Sequence, residues 1–357
     1  MLRVERREAP PRHGGWAIPL LAVAAAVAVG SLFLVGYGAD PVAAWGEIIG
    51  GGFGSLYALS ETVVKAIPLM LCALGLSVAF RGVVWNIGAE GQLYLGALAA
   101  AGAVRILPDS PAWVLIPAMM VAAMLAGGAW AAGPGALKAR FGVNEIIVTL
   151  MLNYVAFQLF NHLVYGPWRD PKSYGFPFTP TFPEAGWLPV LGTTRIHLGL
   201  LFAVVVAILL HLFIRRTTFG FRLRLLGGSC EAARYAGVPL GKTVVAVMAF
   251  SGGMAGLAGM AEVAGIQHHL QPGFSPGYGF AAIIVAWLGK LEPLGIVVVS
   301  ILFGGLLVGT DSAEIMLRLP SAVADVIQAL VLLFLITGEF FLSYRVRWIR
   351  PAAGGEA

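Results

Sequence analysis

The sequence predicts an all-α, polytopic membrane protein of about ten transmembrane helices. Of its 357 residues, 59% are hydrophobic and 11% charged, and the mean hydropathy is +0.85. A soluble domain is roughly half apolar and a quarter charged, because its surface has to stay polar. Here the apolar residues fall in runs of near-bilayer length, separated by basic or proline-rich stretches, and 47 glycines suit closely packed membrane helices. Cys72 and Cys230 supply neither a disulfide framework nor a zinc pattern. Basic residues flanking spans account for a pI of about 9.4, so nucleic acid is not a partner that the charge calls for.

The first span runs from 16 to 36 behind Arg3, Arg6, Arg7 and Arg12. Its length exceeds the apolar core of a signal peptide, the alternative that the small-x-small triplet Gly36-Tyr37-Gly38 keeps open. Further spans fall near 62–80, 83–104, 112–132, 144–165, 196–214, 243–264, 278–289, 293–310 and 321–343, several of them short. Residues 1–15 and 344–357 are then a cytoplasmic N-terminus and tail. That orientation leaves only Lys65, Arg105, Arg169, Lys172, Arg195 and Arg318, of 23 bases, on the outer side or at span ends, as the positive-inside rule requires.

Two stretches are not membrane. Residues 166–195 are rich in proline and read as an extracytoplasmic loop, whereas 215–242 is a basic cytoplasmic loop. They separate two five-span halves, 16–165 and 196–343, within a single transmembrane domain. The halves look related at an offset near 180 residues. Pro111 and Pro293 precede spans four and nine, and Glu145 and Asp325 open spans five and ten. Because five is odd, such halves are inverted relative to each other, the plan of many transporters, although any two sets of apolar helices align about this well.

Polar side chains at membrane depth cost a few kcal/mol each and face protein or an aqueous path. Segment 85–92, WNIGAEGQ, sets Asn86, Glu90 and Gln92 among glycines, which suits an interrupted or re-entrant helix around a cavity. Glu145, Thr149 and Asn153 recur every four residues, a polar stripe on an apolar helix. These six are the candidate substrate pathway; helix caps or interhelical hydrogen bonds are the structural alternative. Glu262, Gln267, His268 and His269 cluster before a Gly/Pro-rich turn without completing a metal set. Gly252 and Gly256, Ala255 and Gly259, and Gly305 and Gly309 are small pairs that allow close helix contact.

No catalytic motif stands out. AGVPLGKT, 236–243, fits a relaxed phosphate-loop pattern but lacks the preceding strand, and no HExxH, GxSxG or CxxC occurs. In the basic loop, Ser229 can cap a short helix, Glu231 suits its first turn, Gly237 can end it and Pro239 follows. Ala232, Ala233 and Ala236 give it a small, smooth surface beside Tyr235. A helix this short has to lean on its own membrane domain or on a partner.

The blocks NIGAEGQLYLGA, GVNEIIVTLMLNYVA, EAARYAGV, GMAGLAGMAEVAG and LFGGLLVGT, in that order between about 55 and 343, resemble the permease subunits of ABC importers for nucleosides and simple sugars, relatives of the branched-chain amino acid permeases. That resemblance implies a coupling helix of pattern GxxxxAAxxxG, here Gly227 to Gly237. Glu231, Ala232, Ala233, Arg234, Tyr235 and Gly237 would then meet the ATP-hydrolysing subunit. It also implies a second permease, giving a heterodimer, an extracytoplasmic substrate-binding protein, and ATP and Mg on the ATPase, with no cofactor on this chain. The location implied is a bacterial-type inner membrane. Ala281, after GYGF, departs from the small polar or acidic residue of many relatives. An ion-coupled secondary transporter, using buried acids such as Glu90 and Glu145, is the rival reading. An intramembrane enzyme lacks a nucleophile, base or metal set. Trp85, Tyr94, Tyr278 and Phe280 favour a nucleoside over a sugar, because aromatic rings stack on bases, although a membrane-surface belt needs the same residues.

Overall fold

The computed structural model describes residues 2–6 and 14–348, and Arg7, Arg12 and Arg350, which enter the orientation argument, lie outside them. In chain order the elements are β1 (Leu2–Arg6), α1 (Gly14–Tyr37), α2 (Pro41–Phe53), α3 (Leu56–Arg81), α4 (Ala89–Ile106), α5 (Ala112–Phe141), α6 (Glu145–Tyr165), α7 (Gly199–Arg216), α8 (Thr218–Gly228), α9 (Cys230–Tyr235), α10 (Leu240–Glu262), α11 (Tyr278–Leu288), α12 (Pro293–Leu317), α13 (Ser321–Ser343) and β2 (Tyr344–Trp348). The fold is all-α apart from the antiparallel pairing of β1 with β2.

Eight helices among the described residues are long and apolar enough to cross a membrane, so the expected count of ten is not reproduced. The two that fall short are α4, which carries Glu90, Gln92 and Arg105 in 18 residues, and α11, which has only 11. The expected span 83–104 is also wrong at its start, because residues 82–88 are not helical and α4 begins at Ala89. Two helices lie outside the expected spans. α2 is 13 residues long and too glycine-rich to read as a span, and α8 lies in the basic loop.

The chain forms two compact units. The first joins residues 1–52 to 306–357. In it Leu34, Ala44, Ile48, Ala313, Val323 and Ile327 make an apolar core, Trp45 donates its indole N–H to Ser31 Oγ at 3.0 Å, and Ser312 Oγ donates to Glu47 at 2.6 Å.

The second unit, 53–305, is built around α3 and α10, both buried almost all round. α10 packs on α3, α4 and α5, and α3 packs on α11 as α4 does on α10. This reciprocal crossing is what two-fold-related α3–α4 and α10–α11 pairs would produce. Apolar burial drives little helix association inside lipid, so close backbone approach has to supply it. The small pairs do this. A methyl group on Gly256 would run into the Ala123 carbonyl, and one on Gly96 into the Gly256 backbone.

The proline-rich stretch 166–195 is a strap over the end of α10. Phe182 N donates to His268 O (2.7 Å) and Leu188 N to Ala264 O (2.9 Å), while the Trp187 ring stacks on His268 at 4.1 Å. Beneath it Val263–Gln267 relaxes into a π-helical turn, and His268 takes a left-handed φ of 57°. Such turns occur mostly as single-turn bulges within α-helices.

Gly256→Val is expected to lower the thermal stability of the purified protein by about 1–3 kcal/mol or more. Gly133→Val, where an added Cβ meets nothing within 4 Å, should leave the melting temperature in place.

Candidate functional site at the broken helix

The chain between α3 and α4 turns sharply at membrane depth and exposes backbone groups that no helix satisfies. Within lipid each such group costs several kcal/mol unless protein supplies a partner. α6 supplies them. Its stripe of Glu145, Thr149 and Asn153 faces the break: Glu145 Oε1 accepts from Trp85 N at 3.1 Å, and Thr149 Oγ1 from Ile87 N at 3.1 Å. Asn153 Oδ1 accepts from Gly91 N at 2.9 Å while its amide donates to Ile87 O at 3.0 Å. The period of four on the helix thus meets alternate residues of an extended segment. Lys138 pairs with Glu145 at the same end.

The break also holds itself. Asn86 and Gln92 exchange two side-chain hydrogen bonds, at 2.8 and 2.9 Å, and Asn86 donates to Ser251 Oγ of α10 at 3.0 Å. Gly88 N donates to Asn86 Oδ1 at 3.0 Å. Ahead of the break, Val83 closes α3 at φ 54°, its N donating to Phe80 O and Val84 N to Ala79 O, both at 3.0 Å, a left-handed conformation that costs a β-branched residue roughly 1–2 kcal/mol.

From the start of α4, Glu90 reaches the start of α11, where its Oε2 accepts from Gly279 N at 2.6 Å. Ser275 Oγ accepts from Gly277 N and Tyr278 N at the same helix end. A Cβ on Gly279 would collide with the Glu90 backbone, so α4 and α11 meet N-terminus to N-terminus with one carboxylate between them. Helix N-termini carry partial positive charge, which places Glu90 where a carboxylate is favoured.

All six expected pathway residues are therefore brought together, and all six are buried. In this conformation they hydrogen-bond to the broken segment or to a neighbouring helix. Of the expected aromatics, Tyr94 is instead packed among Phe157, Phe160 and Phe274. Trp85 stacks on Trp287 at 5.7 Å, a partner that no sequence pattern marked. Ser251 was likewise invisible, because its role depends on α10 crossing the break. Among the described residues no three His, Cys, Asp or Glu side chains form a metal set.

At the basic loop, α9 is six residues long, capped by Ser229 Oγ accepting from Ala232 N, and Gly237 follows at φ 72°. Ala233 is wholly buried against Leu226 and Val238, so in this chain it is the residue through which α9 leans on its own domain. Glu231, Ala232, Arg234, Tyr235, Ala236 and Gly237 are exposed, and Tyr235 is 94% so. Lys242 sits exposed on the first turn of α10, with no strand before it.

Buried broken helices, head-to-head half-helix ends and a short capped helix on the basic side define a multi-pass membrane transport subunit. The chain belongs to the branched-chain amino acid transport system / permease component family, whose sequence pattern matches residues 58–336. It is 38% identical to the glucose ABC transporter permease protein TsgB13 of Haloferax volcanii, over 100% of this chain and 96% of the relative. It is 34% identical to the guanosine ABC transporter permease protein NupP of Bacillus subtilis, over 93% and 94%. It is 26% identical to the nucleoside ABC transporter permease protein NupB of Lactococcus lactis, over 95% of both. The chain is thus an ABC transporter permease subunit, a transport component rather than an enzyme.

Asn153→Leu orphans two buried backbone groups and should cost about 1–3 kcal/mol for each, read as a fall in melting temperature. Val83→Gly removes the left-handed strain and should stabilise the protein by about 1 kcal/mol, read as a rise in melting temperature. Equal melting of Asn153→Leu and the native protein would show that the clamp carries no stability.

Proposed function

We propose that this subunit pairs with a second permease of the same family to form the path of a nucleoside or related simple sugar across a bacterial-type inner membrane. The relatives' names support that substrate class, since they transport guanosine, nucleosides and glucose. The partly exposed Trp85–Trp287 stack supports a nucleoside among them. An extracytoplasmic binding protein would deliver the substrate, and ATP and Mg would be held by a partner ATPase, with this chain binding neither. Family membership sets the ion-coupled alternative aside.

The observation that carries the coupling role is the split of α9 into two faces. Ala233 seats it on Leu226 and Val238, and Glu231, Ala232, Arg234 and Tyr235 are left exposed. A rigid seat with a free outer face can pass motion between an ATPase and α10, which begins at Leu240. The polar cluster at the break serves the path by fixing where α4 and α11 meet. Inverted five-helix halves are supported by the crossed packing of α3 on α11 and α4 on α10. Cytoplasmic termini are supported by the side on which the basic residues gather.

Cys230 is exposed and Cys72 buried, so the native chain carries its own reporter. An impermeant maleimide on intact cells should label Lys172→Cys in the 166–195 strap and spare Cys230, and the reverse pattern overturns the orientation. Ala232→Trp adds bulk only to the exposed face of α9. Assembly of the membrane subunits should survive, while uptake and binding-protein-stimulated ATP hydrolysis fall at least tenfold. Unchanged stimulation in an intact complex removes the coupling role from α9.

A further inference from the structure

A concave groove of about 610 Å³ runs along the second unit between α7 and α10, floored by Val78 and Met124 and walled by Leu209, Phe213 and Phe250. That volume lies within the range of built small-molecule sites. The lining is almost wholly apolar, and Leu209, Phe213 and Phe250 are more than a third exposed, so the groove opens sideways. Its length fits one leaflet. The lining residues run from Val206 to Ile214 on α7 and from Ala246 to Met254 on α10, each about 12 Å at 1.5 Å per residue. Half of a bilayer's hydrocarbon core is about 15 Å.

The α7–α8 end of the groove is basic. Ile214, Phe219 and Leu223 line it at the α7–α8 corner, and the neighbouring Arg215, Arg216, Arg222 and Arg224 are exposed. Two of these have internal duties. Arg224 Nη1 donates to Ile214 O at 2.7 Å, and Arg215 lies 3.7 Å from Glu292. Burial alone would raise the Glu292 carboxyl, but the hydrogen bond and charge of Arg81, with Arg215 and His211, hold it below its ordinary range. Glu292 therefore keeps its negative charge directed at Arg81 and Arg215, and Arg216 and Arg222 are left to the corner's solvent side.

We infer that the groove holds an acyl chain of an anionic phospholipid whose phosphate sits against Arg216 and Arg222. A zwitterionic lipid would satisfy the apolar wall but bring its own cation beside the phosphate, against the arginines, and a free phosphate would leave the groove empty. The bound chain would brace α7 and α8 at the base of α9.

The test uses the full-length protein in nanodiscs of equal dioleoyl phosphatidylglycerol and dioleoyl phosphatidylcholine, followed by native mass spectrometry of retained lipid. Phosphatidylglycerol should be retained about 25-fold over phosphatidylcholine. Arg216→Gln with Arg222→Gln should erase that preference, at about fivefold per arginine. Ala246→Trp, filling the groove wall, should abolish retention of both lipids; should it fail to fold, Leu209→Trp on the rim replaces it. Equal retention of the two lipids by the native chain overturns the inference. So does unchanged retention in folded variants, or a second polypeptide held in place of lipid.

Discussion

Everything in the second unit depends on one constraint: a non-helical segment at membrane depth has to find a partner for each backbone polar group. Water is absent there, so residues 85–91 are viable only because α6 and α10 present oxygens and amides at the right spacing. The polar stripe of α6 is the consequence. Remove the break and the stripe would be three expensive side chains in an apolar helix. Remove the stripe and α3 would be driven either to continue as helix or to lose its junction with α4.

The break in turn fixes where α4 starts, and with it the meeting of two helix N-termini around Glu90. Half-helices that begin inside the membrane are the parts whose ends can face a substrate path, because their dipoles and unpaired N–H groups point along it. A permease with such ends needs little chemistry of its own. The short helix α9 is anchored through Ala233 and followed by the left-handed Gly237, with its other residues exposed.

Much of this was legible in the sequence. The all-α membrane fold followed from composition, the WNIGAEGQ break from glycines among polar residues, and the α6 stripe from its period of four. That the two dock on each other was not legible, since period and composition describe one segment at a time. The same limit hid Ser251 and Trp287. α2 escaped notice because 13 residues with four glycines look like a loop, and α4 was started early because Val83 and Val84 extend its apolar run. Which alanine seats α9 on the chain was not legible, because a six-residue helix with alanines around it carries no amphipathic signal.

The most direct measurement is amide hydrogen exchange across residues 84–92 in nanodiscs, resolved against α3 and α4 on either side. If side-chain partners satisfy the break, Trp85, Ile87, Gly88 and Gly91 will exchange as slowly as the flanking helices, although no helical hydrogen bond protects them. Rapid exchange there, with α3 and α4 still protected, would mean that water reaches the segment and that the clamp described here does not hold it.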